Sequence, residues 1–118
     1  MRMGVVTASR AGLGPAAALF RSLGDPARLA IVRRLAGGPA RVTDLVGELG
    51  LAQSTVSKHL ACLRDCALVT VRAEGRASVY SLARPAQPAL PVLLVAAEEL
   101  LAATGSKVAL CPNYGQPQ

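Results

Sequence analysis

The sequence predicts a mainly α-helical fold carrying one small β-hairpin. Apolar residues recur at spacings of three and four along successive stretches. Gly and Pro punctuate the gaps, and one pair of strand-like runs flanks a Glu-Gly-Arg turn. The 118 residues suit a single domain or one protomer of a small oligomer. Apolar residues make up 52%, but with only one Phe and two Tyr the hydrophobicity rests on Ala, Leu and Val. A core of such small side chains buries little area per chain, and a homodimer interface is the expected remedy. Thirteen Lys and Arg against seven Asp and Glu give a net charge of +6. That excess points to a polyanionic partner, most simply double-stranded DNA.

Residues 1–14, with Gly4, Gly12 and Gly14, read as a flexible N-terminal arm. From Pro15 onward Ala16, Ala17, Leu19, Phe20 and Leu23 have helical spacing, which stops at Gly24. Asp25-Pro26 reads as an N-cap followed by Pro at the first helical position, where a missing N–H costs nothing. Leu29, Ile31, Val32 and Leu35 give that second helix a buried face, and Gly37-Gly38-Pro39 ends it. Thr43 is expected to cap a short helix to about Leu49, burying Leu45, Val46 and Leu49. After the turn Gly50-Leu51-Ala52 a longer helix runs from Gln53 to about Ala67, with Val56, Leu60, Leu63 and Ala67 inward. Strand-like runs from Leu68 to Ala73 and from Ala77 to Leu82 flank Glu74-Gly75-Arg76 as a hairpin tip. Pro85, Pro88 and Pro91 punctuate the entry to a last helix, near Pro91 to Ala103, which Gly105 ends. This order is that of a homodimeric winged helix-turn-helix, expected to occupy residues 15–104, with 105–118 as a tail carrying a third cysteine. The uncharged run from Pro85 to Ala97 falls short of the ~20 residues of a spanning helix. The expectation is a cytoplasmic protein that does not engage a membrane.

Candidate DNA-reading residues sit at the start of the longer helix. Gln53, Ser54, Thr55, Ser57, Lys58 and His59 fill its first two turns, with Val56 alone apolar among them. A helix entering the major groove presents its N-terminal residues to base edges, and Gln, Ser and Thr can donate or accept there. Lys58 suits a phosphate. Arg76 at the hairpin tip, with Arg72 behind it, would reach the backbone or minor groove. The competing reading is a solvated helix face and an ordinary charged turn. For His59, the sole histidine, a hydrogen-bonded structural role and metal ligation both compete with DNA contact. Ala52, at the N-cap of this helix, has no side-chain oxygen with which to cap it.

Cys62 and Cys66 lie four apart on the same helix, so both thiols project from one face and two thiolates there can share a metal ion. A disulfide between them is disfavoured, because their Cβ vectors run nearly parallel. Cys111 would complete a three-thiolate site only if the fold brings the tail over this helix. Sulfur ligation selects soft ions, which favours Cd(II) and Pb(II); As(III) also suits three thiolates, and Zn(II) calls for a fourth ligand. The bland alternative is a set of buried thiols packed as small apolar groups. Cys62 and Cys66 nevertheless fall off the stripe of Val56, Leu60 and Leu63, on one shared with Thr55 and His59.

The run Leu23-Gly24-Asp25-Pro26-Ala27-Arg28-Leu29, followed by Gln53-Ser54-Thr55-Val56-Ser57-Lys58-His59-Leu60 and Leu63-Arg64, resembles the ArsR/SmtB family of bacterial metal-sensing repressors. The resemblance covers roughly residues 15–104. Within the family, Cys62 and Cys66 resemble the cadmium- and lead-sensing branch. The resemblance implies a third ligand near the C-terminus, Cys111, supplied by the other protomer of a dimer. It also implies DNA contact at the position of His59. Other sensing sites of the family look empty, because Ala40-Arg41-Val42-Thr43-Asp44-Leu45 lacks a cysteine pair and the last helix has Glu98 and Glu99 but no histidine.

These residues together predict a repressor that binds operator DNA as a dimer and is released when Cd(II) or Pb(II) binds the thiolates of Cys62, Cys66 and Cys111. An arsenite- or redox-responsive repressor using the same cysteines is the alternative. A thiol enzyme is disfavoured, since His59 stands alone and the sequence shows no carboxylate obviously placed to orient it as a general base. A DNA-packing protein would bind with little sequence preference.

Overall fold

The computed structural model describes residues 10–110, which form two compact units divided after Ala83. The span 15–104 expected as one domain therefore contains parts of both. Residues 1–9, most of the expected arm, lie outside the described residues. Arg10–Leu13 of that arm form a 3-10 turn that leads directly into helix α1, Gly14–Leu23.

In the first unit α1 is followed by α2, Pro26–Ala36, and Asp25 caps it through its side chain, accepting the N–H groups of Ala27 and Arg28. Ile31, Val32 and Leu35 of α2 are buried as expected, whereas Leu29 is exposed. Strand β1, Ala40–Arg41, precedes α3, Val42–Leu49. Arg41, not Thr43, is the N-cap of α3, and its N–H donates to the Asp44 carboxylate at 3.0 Å. The chain is still extended at Arg41 because β1 pairs with the hairpin, Ala40 opposite Tyr80 and Arg41 opposite Val79. With that long-range pairing the N-cap of α3 falls two residues earlier than the Thr43 signal.

Helix α4, Gln53–Asp65, has Cys66 at its C-cap, and strands β2, Val69–Glu74, and β3, Ala77–Leu82, form the hairpin. The antiparallel sheet has the order β1-β3-β2. Glu74 pairs with Ala77 around a turn in which Gly75 has φ 64°, a left-handed conformation that suits a residue without Cβ. The core of the unit gathers Leu23, Ile31, Val32, Leu35, Leu45, Val56, Leu60, Leu63, Val69, Val79 and Leu82. Ala67, expected in that core, is instead exposed with φ 61°.

The second unit holds α5, Ala86–Ala103, which begins five residues before the expected start at Pro91. Pro85 is its N-cap and Pro88 lies in the first turn, where N–H groups have no intrahelical acceptor, so neither obstructs the helix. Pro91 sits inside the helix and removes one rung of its ladder. Along α5 Val92, Val95, Leu100 and Leu101 are exposed, and Pro91, Val92, Val95, Ala96 and Glu99 line an open groove of about 430 Å³. At 18 residues and mean hydropathy 1.4, α5 is long and apolar enough by composition alone to cross a bilayer. It is the one such helix among the described residues.

Candidate nucleic-acid interface and thiol site

Helix α4 carries nearly all of the candidate residues. Gly50 turns the chain out of α3 at φ 66°, its N–H donating to the Val46 carbonyl at 3.0 Å. Ala52 then supplies the N-cap in extended conformation with no side-chain hydrogen bond, as its methyl group dictates. Val56, Leu60 and Leu63 are 0% exposed and hold the inner face of α4 against the core. The same 3.6-residue periodicity turns Gln53, Ser54, Ser57 and Lys58 to solvent, with Thr55 half-buried beside them.

His59 is placed differently from these neighbours. Its side chain is only 13% exposed, with Nε2 3.5 Å from Asp25 Oδ2. Nδ1 lies 3.3 Å from a terminal nitrogen of the Arg28 guanidinium. The Asp25 carboxyl is held below its ordinary value, chiefly by the hydrogen bond from the Arg28 backbone N–H. Partial burial opposes that, and the nearby His59 ring and Arg28 guanidinium lower it further. Sequence reasoning missed Arg28 and Asp25 as partners of α4, and the Asp25 carboxylate does face His59, contrary to expectation; the pairings lie 31 and 34 residues apart in sequence and leave no periodic signal.

In the hairpin, Arg72 and Arg76 are exposed. Arg72 donates to Glu74 at 2.9 Å with both side chains half-exposed, so it is partly neutralised. Arg76 stands in the turn itself, beside Gly75.

The thiols lie at the opposite end of α4. Cys62 is half-buried and Cys66 exposed, and both are free. Cys66 is the C-cap, and its N–H still donates to the Cys62 carbonyl at 3.1 Å, so the helical register holds through both residues. Cys66 also borders an open groove of about 310 Å³ lined by Pro15, Ala18 and Leu19 of α1. Two soft donors one turn apart fit part of a thiolate site. Among the described residues no group of three or more His, Cys, Asp or Glu is assembled for a metal, and Cys111 lies outside them.

A three-stranded sheet with a protruding hairpin, packed on a bundle whose third and fourth helices are joined by a tight glycine turn, defines a winged helix-turn-helix. The family model for bacterial regulatory proteins of the arsR family matches residues 25–71. The regulator CmtR of Mycobacterium tuberculosis is 46% identical over 67 residues, 57% of this chain and 57% of the relative. The chain thus matches little more than half the length of that relative. The NMR structure of CmtR, a cadmium metal-sensor from M. tuberculosis, aligns with TM-score 0.57 and 43% identity over 66% of this chain and 81% of the other. An uncharacterized HTH-type transcriptional regulator of M. tuberculosis, MT0088, is 34% identical over 87 residues, 73% of this chain and 74% of the relative. The homodimeric winged helix-turn-helix DNA-binding domain of Mb0332 from Mycobacterium bovis, a possible ArsR-family regulator, has TM-score 0.65. It is 31% identical, over 78% of this chain and 87% of that one. The chain belongs to the arsR family of bacterial regulatory proteins.

Proposed function

We propose that the protein is a cytoplasmic, metal-responsive transcriptional repressor that binds operator DNA as a homodimer. It places α4 in the major groove and the β2–β3 turn against the flanking backbone. The observation that carries this reading is the division of α4 into a solvent-facing polar first half and a thiol-bearing end. Gln53, Ser54, Thr55, Ser57 and Lys58 contact bases and phosphates, and Arg76 and Arg72 follow the backbone. Cys62 and Cys66, with Cys111, hold Cd(II) or Pb(II); the soft ion supplies the bonds that tie one end of α4 to the tail. The similarity to the cadmium sensor CmtR supports this choice of metal. A helix so tethered is displaced from its DNA register, and a coupling of about 1–3 kcal/mol suffices for a 5- to 150-fold loss of affinity.

The exposed apolar residues of α1 and α5, among them Phe20, Val92, Val95 and Leu101, suit a second copy of the chain. Dimerisation places two α4 helices on the two halves of a palindromic site.

The experiment is a DNA-binding titration of reduced protein against duplexes it enriches from a randomised pool, with Cd(II), Pb(II), Zn(II), As(III) or peroxide added. Affinity is expected to fall with Cd(II) and Pb(II), with a sulfur-to-metal absorption band, and Cys62→Ser with Cys66→Ser is expected to abolish both. A loss of affinity that persists in that double variant removes the sensing site. A response confined to peroxide or As(III) selects the arsenite- or redox-responsive alternative.

A further inference from the structure

Three helices of the first unit meet at one polar node. Arg28, in the first turn of α2, reaches back to the end of α1, where Nε donates to the Ser22 carbonyl and Nη2 to the Arg21 carbonyl at 3.2 Å. The remaining Nη1 lies 3.3 Å from Nδ1 of His59 on α4. Asp25 closes the ring. Its Oδ2 caps α2, accepting from Ala27 at 2.9 Å and Arg28 at 3.0 Å, and lies 3.5 Å from His59 Nε2.

From this node we infer that His59 is a positioning residue, which sets the roll of α4 against the α1–α2 junction and does not itself touch DNA. The inference rests on the DNA-binding reading above. A guanidinium can only donate, so in this contact Nδ1 is the acceptor, while Nε2 faces the Asp25 carboxylate. Both ring nitrogens then face partners within the fold, Arg28 at 3.3 Å and Asp25 at 3.5 Å, and the side chain is 13% exposed. The adjacent carboxylate also repels any phosphate that approaches. Leu60, Val56 and Leu63 bury the inner face of α4, but apolar contact is non-directional and tolerates rotation. The Arg28–His59 hydrogen bond at the edge of that face is directional and resists it. Helical phase turns Gln53, Ser54, Ser57 and Lys58 outward, and the node refines the angle at which they point, from residues that lie outside α4.

A double-mutant cycle on DNA affinity tests this, using a duplex the wild-type chain enriches from a randomised pool, with Kd measured by anisotropy over a series of KCl concentrations. His59→Ala is expected to weaken binding roughly tenfold. Arg28→Met is expected to weaken it at least as much, because it also loses the bonds to Ser22 and Arg21. The double variant should be no weaker than Arg28→Met alone, because both substitutions remove the Arg28–His59 contact. His59→Gln, whose amide offers one acceptor and one donor, is expected to stay within roughly threefold of wild type. Slopes of log Kd against log salt should be unchanged, and the lost affinity should not map to any single base pair. Additive losses overturn the inference. So does a slope lowered by about one per protomer, as for a phosphate contact, or relaxed preference at a single base pair. A folded His59→Gln as weak as His59→Ala also overturns it. A wild-type chain that enriches no duplex removes the DNA-binding reading, and this inference falls with it.

Discussion

Oδ2 of Asp25 accepts the backbone N–H of Arg28 at 3.0 Å, and that bond is the largest cause of the lowered Asp25 pKa. A carboxyl whose pKa is lower folded than unfolded contributes stability fully above the unfolded value, about 3.9, and loses it as pH falls through the folded value. Acid should therefore destabilise the wild type through this group below about pH 4. Asp25→Asn keeps a capping oxygen but no titratable charge. Its urea midpoint is expected to be lower than wild type at pH 7, and the gap should narrow between pH 5 and pH 3. Parallel midpoint curves across that range would count against the role given to this carboxylate.

The N-terminus of α4 lacks a side-chain cap, although Ala52 has φ −66° and ψ 147°, the extended geometry from which Ser caps well. Ala52→Ser is expected to stabilise the chain by roughly 0.5–2 kcal/mol, read as a higher urea midpoint with an unchanged slope. No shift in midpoint would mean that solvent already satisfies those N–H groups equally well.

The other end of α4 closes in a complete two-bond cap. Leu68 N–H reaches the Leu63 carbonyl at 3.0 Å and Ala67 N–H the Arg64 carbonyl at 2.9 Å, with Ala67 at φ 61°. This is the pattern in which Gly ordinarily takes the left-handed position, as Gly105 does after α5 at φ 67°. Ala67 bears the steric cost of its Cβ there, roughly 1–2 kcal/mol, partly offset by the lower unfolded-chain entropy of Ala. Ala67→Gly is expected to raise stability by up to roughly 1 kcal/mol, measured by chemical denaturation. A lower midpoint would show the entropy of the unfolded glycine chain to be the larger effect.

Ala67 also marks where sequence legibility ends. The spacing of Val56, Leu60 and Leu63 is periodic, and the structure buries all three. Extending that rhythm to Ala67 fails because helix termination here is written in backbone hydrogen bonds, with no Gly to announce it. The Asp25-Pro26 start of α2 was legible because its signal is local, lying in two adjacent residues and the N–H groups they serve. The start of α3 was not, because a pairing of Arg41 with Val79 decides it from 38 residues away. The same holds at the candidate site. Exposure of Gln53, Ser54, Ser57 and Lys58 follows from helical phase, whereas the ties from His59 to Asp25 and Arg28 are tertiary and appear only once α2 and α4 are packed.

Arg72 and Arg76 carry the same charge but should differ in their use to DNA. Arg72 is engaged with Glu74 at 2.9 Å, and a phosphate must compete with that carboxylate and tolerate its charge. An exposed pair of this kind is worth about 0–1 kcal/mol, so the competition is modest but always opposes binding. Arg76 carries no ion pair among the described residues and stands at the most projecting point of the hairpin, next to Gly75. Arg76→Ala is therefore expected to weaken DNA binding more than Arg72→Ala, and to lower the salt slope by about one per protomer while leaving sequence preference intact. Glu74→Gln should strengthen binding by freeing Arg72 and removing a negative charge. If Arg76→Ala leaves both affinity and salt slope at wild-type values, the hairpin does not approach the duplex. Charge recognition would then fall to groups outside the hairpin, such as Lys58 and the α4 N-terminus.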